Sequence, residues 1–280
     1  MPSTLLSKAS LAALALALSL VLSLAIRPGT PPHPLPASRM STLPPITLWA
    51  WERREDLRSL ASPQDIRRYA IAYLDQTLTI GLGVSRQPRR DPVAFPAAST
   101  RIPVIRIEAP RQAVLDPANR AAALDAILST AREPDIAALQ LDFDATRSQR
   151  AFYRDLLIDL RRAMPPHLPL SITALASWCS YDDWLSDLPI DEAVPMFFRM
   201  EPDRRRASPS PSSASPVDDF RIREPLCRAS YGLSTREPWP SDLAHKRLYI
   251  FPENGWRQDL PPLQALLPLK DLPSLERSLP

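Results

Sequence analysis

Glycine is scarce in this sequence, which has five glycines among 280 residues, beside thirty-four prolines. The phosphate-binding loops of nucleotide-binding folds need several glycines close together, because the backbone must approach the phosphates. The five glycines are instead scattered along the chain, at Gly29, Gly81, Gly83, Gly232 and Gly255. Nucleotide-dependent chemistry is therefore not expected.

Patterns of histidine and serine that carry catalysis are also lacking. The three histidines, His33, His167 and His245, do not have the spacing of zinc ligands. Ser177 has no histidine or acid at the spacing of a hydrolase triad. We therefore predict no metal site and no cofactor.

Cysteine is limited to Cys179 and Cys227. The strands predicted below place Cys179 just after the end of one strand and Cys227 at the start of another. These positions would lie at opposite ends of the domain, and a disulfide needs Cα atoms within about 7 Å of each other. We therefore predict two separate, mostly buried thiols.

Neither sign of charge dominates, since 34 basic residues stand against 31 acidic ones and the net charge is +3. A nucleic-acid-binding protein would carry a basic stripe, commonly interleaved with aromatic residues, on one of its elements. No predicted element has such a stripe. Nucleic acid is therefore not expected as a partner.

The N-terminus contains the one long apolar run. Lys8 precedes an uncharged stretch at 11–26, and residues 23–25 (Ser-Leu-Ala) place small residues where a signal peptidase reads them. The stretch is shorter than the ~20 residues that span a bilayer. We predict a signal peptide at 1–26, cleaved after Ala25, or alternatively an uncleaved anchor, followed by a Pro-rich linker at 27–45. Either places the domain in the periplasm or outside the cell, with membrane contact only through an uncleaved N-terminal segment.

The segment 137–164 has the clearest pattern. Leu139, Leu141 and Phe143 alternate with Gln140, Asp142 and Asp144, which predicts a strand with one apolar and one polar face. From Thr146 the period becomes helical, and Thr146 with Gln149 forms a plausible capping box. A strand that ends in two acids and leads directly into a helix is one unit of an α/β fold, where ligands bind at the carboxyl ends of the strands.

Eight strands are predicted, at 46–51, 71–80, 102–108, 139–144, 170–176, 192–200, 228–233 and 246–251. Helical patterns are clear after the third and fourth strands and weak after the sixth and seventh. This order predicts a single, irregular (β/α)8-type barrel over 46–257, with an open α/β sheet as the alternative. Residues 202–219 are low in complexity and read as a disordered insert, and 258–280 as a Leu- and Pro-rich tail.

The parity of the strands points several acids into the barrel near its carboxyl end. Asp142 and Asp144 lie two residues apart, about 6.6 Å between Cα atoms, and Glu108 is expected beside them from the neighbouring strand. Glycoside hydrolases use two carboxyl groups about 5–9 Å apart, and neighbouring acids raise each other's pKa. Asp142, Asp144 and Glu108 are therefore the candidate catalytic residues.

Other side chains near the strand ends are candidate substrate contacts, and aromatic rings among them can stack on sugar faces. They are Trp49, Trp51, Arg106, Gln140, Trp178, Tyr181, Arg199, Tyr231 and Glu253. A structural alternative is that Arg106 and Arg199 only neutralise Asp142 and Glu108 inside the barrel. Trp49 is likewise an ordinary candidate for the barrel core.

Six blocks together resemble an uncharacterised bacterial family, the domain of unknown function 3142. They read ITLWAWERREDLR, YLDQTLTI, VIRIE, LQLDFDATRSQRAFYRDLLIDLRRAMP, LSITALASWCSYDDWL and DEAVPMFFRM. The resemblance covers roughly residues 46–200. It implies a domain boundary and an exported setting but no activity.

A weaker resemblance is to chitinase-like glycoside hydrolase barrels, which carry D-x-x-D-x-D-x-E on the fourth strand. Asp142 and Asp144 match the inner acids, whereas Leu139 and Thr146 stand at the positions of the first Asp and of the Glu that donates the proton. Two hypotheses follow. One is a glycan hydrolase in which Glu108 replaces the missing donor, and the other is a non-catalytic envelope protein that binds saccharide or a protein partner. The oligomeric state is left open.

Overall fold

The computed structural model describes residues 39–198 and 220–266. Its centre is a closed barrel of eight parallel strands: β1 (Ile46–Ala50), β3 (Tyr69–Ile80), β6 (Thr100–Glu108), β7 (Leu139–Asp142), β8 (Leu170–Leu175), β9 (Glu192–Met196), β10 (Ser230–Ser234) and β11 (Arg247–Phe251). The barrel closes because β1 pairs in parallel with both β3 and β11. The predicted (β/α)8-type barrel is confirmed, and the open sheet is ruled out.

Three short strands lie outside the barrel. β4 (Val84–Pro88) pairs antiparallel with β3. β2 (Glu55–Asp56) and β5 (Val93–Ala94) form a separate two-stranded pair. The loop after β1 is therefore tied to the loop that precedes β6, on the side of the barrel where strands end.

The described helices are α1 (Pro63–Arg68), α2 (Pro117–Ala131), α3 (Arg150–Ala163), α4 (Ala176–Ser180) and α5 (Trp256–Leu266). Ser62 and Asp116 cap α1 and α2, each accepting a backbone N–H three residues on, with proline in the first turn. Before α3, the Thr146 N–H donates to Oε1 of Gln149 at 2.8 Å, which supports the predicted helix start. A 3-10 turn at Pro225–Cys227 precedes β10.

The two faces of β7 are used as the alternation predicts. Leu139, Leu141 and Phe143 point outward and pack in one buried cluster with apolar side chains of α3. These are Phe152, Leu156, Leu157 and Leu160. The interior holds a second cluster that includes Trp49 and Tyr249, and the Trp49 Nε1–H reaches Gln140 there. The polar face of β7 therefore points into the barrel.

The amino end of the barrel is closed by residues assigned from sequence to the linker. A 3-10 turn at Arg39–Thr42 buries Met40, and Leu43 is also buried among interior side chains. Arg247 joins this plug to the barrel by donating to the Met40 carbonyl and pairing with Glu192 at 3.0 Å. The linker prediction of 27–45 is thus wrong for 39–45, because a composition rich in proline does not reveal two apolar anchors.

The predicted tail is also partly wrong. α5 extends to Leu266 and packs Leu260 and Leu263 into the cluster on the outer faces of β1 and β11. Two prolines near its middle, Pro261 and Pro262, obscure the helical period in the sequence. Within residues 39–198 and 220–266, no helix combines the length and apolarity needed to cross a membrane.

Cys179 and Cys227 form a disulfide with Cα atoms 5.9 Å apart, so the prediction of two separate thiols is wrong. Cys179 is carried away from the strand end by α4, and Cys227 lies in the 3-10 turn before β10 rather than in the strand. The N–H groups of Arg223 and Glu224 donate to the Cys179 carbonyl, which docks that turn onto α4. The prediction failed because it placed Cys179 at the carboxyl end of one strand and Cys227 at the amino end of another, whereas both lie in the segments that connect strands.

Several predictions fall outside the described residues. They concern the signal or anchor at 1–26, most of the linker, the insert at 202–219, Arg199, and residues 267–280 of the tail. The predicted export of the domain likewise stays a prediction.

Candidate functional site

A cavity of about 520 Å³ opens at the carboxyl end of the barrel strands. Its charged lining consists of Arg53, Arg106, Asp142, Asp144 and Glu253. This volume falls in the range of small-molecule sites, and its position is where enzymes with this fold bind their substrates. Five of the predicted site residues line it, namely Trp51, Arg106, Asp142, Asp144 and Glu253.

Asp142 is fixed at the back of the cavity by two donors. Arg106, its register partner on β6, donates from Nη1 to Oδ2 at 2.7 Å. Thr173 on β8 donates its hydroxyl to Oδ1 at 2.7 Å. Asp142 is 3% exposed, so its charge is buried and its two oxygens are both engaged. This carboxylate acts on its surroundings through its field rather than as a mobile group.

Asp144 has a different environment two residues later. Its side chain is exposed to the cavity, and within the described residues no side chain or backbone group donates a hydrogen bond to it. The surrounding protein desolvates the carboxyl and the charge of Asp142 repels it, so its pKa is raised although Arg106 opposes the shift. The group is reachable by a small molecule yet recessed among protein atoms, which is the setting of a general acid.

Glu108 lies at the end of β6 and is bound to the outer side of Arg106. Its Oε1 accepts from Arg106 Nε at 3.1 Å, and its side chain is 52% exposed. It is not among the residues that line the cavity. Burial lowers the pKa of Arg106, but Asp142 and Glu108 together raise it above the ordinary value. Glu108 therefore pairs with the guanidinium outside the cavity, whereas Asp144 lies inside it.

Trp49 and Gln140 lie below the cavity in the barrel core, which corrects their prediction as substrate contacts. Both are fully buried. The Trp49 indole donates to Gln140 Oε1 at 2.8 Å, and Gln140 Nε2 donates to Ser171 Oγ at 3.1 Å. The alternation of β1 and β7 predicts their direction, but it does not predict their depth. These two side chains belong to the packed layer beneath the cavity, which forms its floor.

Aromatic rings form one wall above this floor. Trp51, Phe198 and Phe251 line the cavity, with Phe251 packed 6.0 Å from Trp51 and 4.7 Å from Phe198 between ring centroids. Gly232 makes room for this arrangement, since a Cβ there would lie 3.3 Å from Phe251 and 3.2 Å from the Pro195 carbonyl. An apolar wall facing carboxylates suits a sugar, which has an apolar face and a hydroxylated edge.

Arg53 holds the loop that follows β11 in place at the cavity. It donates to the carbonyls of Pro252 at 3.0 Å and Glu253 at 3.2 Å, and it pairs with the buried Glu55 at 3.3 Å. These bonds hold the backbone that carries Glu253. Sequence reasoning missed Arg53, because it lies in a loop past the end of β1 where parity gives no direction.

Three predicted contacts lie away from the cavity. Trp178 is buried in α4 against Trp184, with ring centroids 4.8 Å apart. Tyr181 is 45% exposed and contacts Phe220, and Tyr231 packs against Phe197 on the outer side of the barrel. Their prediction as substrate contacts is corrected by this placement. Arg199 is outside the described residues.

The remaining lining residues were missed by sequence reasoning. They are Leu175, Ala176, Met196, Phe198, Ser234, Phe251 and Pro252. Leu175, Met196, Ser234 and Phe251 end β8, β9, β10 and β11, so the inward parity applied to β7 would have found them. Within the described part of the chain, no group of three or more His, Cys, Asp or Glu side chains is arranged to hold a metal ion.

The central strands of the barrel match a known family model. Residues 98–196 match DUF3142, a domain of unknown function. The DUF3142 segment runs from just before β6 to the end of β9, so it contains Arg106, Asp142, Asp144 and Thr173. The resemblance predicted from the sequence blocks is confirmed over this segment. Trp51, Arg53 and Glu253 reach the same cavity from outside it.

No curated protein sequence matches this chain. Among solved structures, the crystal structure of the Bacillus cereus spore cortex-lytic enzyme SleL is similar with a TM-score of 0.44 and 15% sequence identity. The match covers 68% of this chain and 50% of that one, so this chain spans about half the length of SleL.

Proposed function

We propose that this protein is a glycoside-hydrolase-like enzyme in which Asp144 is the general acid. The observation that carries the proposal is the contrast between the two acids of β7. Asp142 is buried and held by Arg106 and Thr173, whereas Asp144 faces the cavity with a raised pKa. Two nearby carboxyl groups in such different environments are how glycoside hydrolases separate their acid from their charged partner.

The mechanism uses Asp144 to protonate the leaving-group oxygen of a bound glycan. Arg106 and Thr173 hold the Asp142 carboxylate in place. Its negative charge disfavours ionisation of Asp144 and so favours the protonated form of that acid. Glu253 enters the same cavity from the end of β11, on a backbone fixed by Arg53. In this account Glu253 is the second carboxylate, which activates water or attacks the sugar. The wall that includes Trp51 and Phe251 stacks on the sugar ring.

Export from the cytoplasm is part of the proposal. The signal-like run at 11–26 supports it, and so does the disulfide between Cys179 and Cys227, since disulfides persist in oxidising compartments. A glycan of the cell envelope or the extracellular space would then be the accessible substrate class.

The alternative is a binding protein without turnover. The engaged oxygens of Asp142 favour it, and so does the attachment of Glu108 to Arg106, because both carboxylates are already bound within the protein. The other acids that line the cavity are Asp144 and Glu253. If Glu253 cannot act, the same cavity would bind saccharide only.

The test is to incubate the purified protein with chitin-derived and peptidoglycan-derived oligomers and to analyse the products by mass spectrometry. We expect shorter oligomers from the wild type and a loss of about 100- to 10,000-fold in kcat for Asp144→Asn, the usual contribution of a general acid. Binding of an oligomer without any product would support the binding protein instead. Equal turnover by the wild type and Asp144→Asn would contradict the assignment of Asp144.

A further inference from the structure

A second cavity, of about 840 Å³, lies beside the first at the carboxyl ends of β10 and β11. It is enclosed by the loop that follows β10 and by the first turns of α5. Trp239, Leu243 and Leu263 give its lining apolar surface, and Thr235, Asn254 and Gln258 supply polar groups. The charged residues of the lining are Arg236, Glu237 and Asp259. Its volume is within the range of sites that bind small molecules.

The two cavities share a wall. Ser234 and Glu253 line the first cavity, and the residues that follow them, Thr235 and Asn254, line the second. The loops that carry these pairs are bonded to each other, since the Thr235 N–H donates to the Phe251 carbonyl at 3.1 Å. The two cavities are therefore neighbours at the carboxyl ends of β10 and β11, separated by residues 234–235 and 253–254.

Asp259 on α5 braces the shared wall. Its Oδ2 accepts from the Thr235 hydroxyl at 2.6 Å, the Glu253 N–H at 2.8 Å and the Asn254 N–H at 3.1 Å. Burial opposes the ionisation of Asp259, but these hydrogen bonds outweigh it and its pKa is lowered. One carboxylate thus fixes both loops, so the spacing between the two cavities is set in advance of binding.

Trp239 has the features of a stacking platform. Its Nε1–H donates to the Ser234 carbonyl at 2.7 Å, which satisfies the polar edge of the indole and fixes the ring. The side chain is only half-buried and lines the cavity. A ring held in this way offers apolar surface at little cost in side-chain entropy.

We propose that this second cavity is a saccharide subsite, occupied by the units of a glycan chain that follow those bound beside Asp144. The inference rests on the proposed function and adds to it the substrate class, which is an oligomer or polymer rather than a single sugar. The adjacency of the two cavities and the mixture of a fixed ring with amide and hydroxyl groups support this occupant. Trp239 is the main contact, and Asn254 and Gln258 hydrogen-bond to hydroxyl groups.

The experiment measures affinity against chain length, in the Asp144→Asn background to prevent turnover. Oligomers of β-1,4-linked N-acetylglucosamine with two to six units serve as probes, and dissociation constants come from titration calorimetry. We expect affinity to rise with length, and Trp239→Ala to weaken binding of the hexamer at least tenfold but that of the dimer less than twofold. Gln258→Trp, which places bulk in the cavity from an exposed helix position, gives the same pattern if Trp239→Ala fails to fold.

Tyr181→Ala is the matched control, because it removes an exposed aromatic side chain that lines neither cavity. A hexamer that binds no more tightly than the dimer overturns the subsite but leaves the proposed function intact. Failure of every oligomer to bind, together with no product from peptidoglycan-derived oligomers, overturns both. If removal of residues 267–280 tightens hexamer binding while Trp239→Ala has no effect, the cavity belongs to the C-terminal tail and the inference is wrong.

Discussion

Arg106 and Asp142 face each other in register on β6 and β7, and Nη1 of Arg106 donates to Oδ2 of Asp142 at 2.7 Å. The pair stands at the back of the cavity, where Asp142 is buried. The pair fixes the negative charge of Asp142 beside Asp144, and it also stabilises this end of the barrel.

Among the residues that the structure describes, removing the guanidinium leaves Thr173 as the one donor to the buried carboxylate of Asp142. We expect Arg106→Ala to lower the free energy of unfolding at pH 7 by about 3 kcal/mol or more, the usual cost of an unpaired buried charge. Urea denaturation measures it. Arg120→Ala is the control, since Arg120 pairs with Asp155 and Asp159 on the surface of α3 and should cost less than about 1 kcal/mol. Equal losses from the two variants would contradict the role assigned to Arg106.

Asp144→Asn should stabilise the protein near neutral pH. The folded state raises the pKa of Asp144, so its ionised form is disfavoured relative to the unfolded chain. The stability that protonated Asp144 contributes is present in full below the pKa that this carboxyl has in the unfolded chain. It is lost as the pH rises through the higher pKa of Asp144 in the folded protein. The gain in Tm from Asp144→Asn is therefore expected at pH 7 and should vanish at low pH. A gain that is constant with pH would show that the carboxyl charge is not its cause.

Gly232 on β10 is required by its neighbours. A Cβ at this position would lie 3.2 Å from the Pro195 carbonyl and 3.3 Å from both Met196 and Phe251. We expect Gly232→Ala to cost about 1–3 kcal/mol, as overpacking of a core does, and to disturb the wall formed by Phe251. Gly83→Ala is the control, because nothing lies within 4 Å of its Cβ position. Thermal melts compare the two, and similar Tm values for both variants would count against the close approach at β10.

The disulfide closes a loop of 48 residues between Cys179 and Cys227. A crosslink over a loop of this length stabilises by about 3–4 kcal/mol in the chain-entropy account. We expect the double variant Cys179→Ser/Cys227→Ser to lose about this much, and the wild type in a strong reductant to match it. A reductant that lowers the Tm of the double variant as much as that of the wild type would mean that the bond is not responsible.

The fold could be predicted from the sequence because period-two and helical patterns alternate clearly from residue 46 to 176. The meeting of Arg106 with Asp142 was also accessible, since parity gives the direction of each side chain and neighbouring strands give the partner. Parity does not give depth, however. Trp49 and Gln140 point inward as predicted, but they lie one layer below the cavity and are buried.

The missed features depend on segments without a period. The Cys179–Cys227 disulfide requires α4 and the turn before β10 to dock on each other, and hydrogen bonds to the Cys179 carbonyl make that contact. Arg53 reaches the cavity from a loop tied down by Glu55. Such tertiary contacts involve backbone groups and loop ends, which have no signature in the residue pattern.

The central claim is that Asp144 donates a proton to the leaving group. The most direct measurement is the turnover of Asp144→Asn on aryl glycosides with increasingly acidic leaving groups, compared with wild type on the same sugar. We predict that the variant loses nearly all activity on poor leaving groups and recovers towards wild type on the most acidic phenol, which needs no protonation. Loss of activity that is the same for every leaving group would contradict a general-acid role for Asp144.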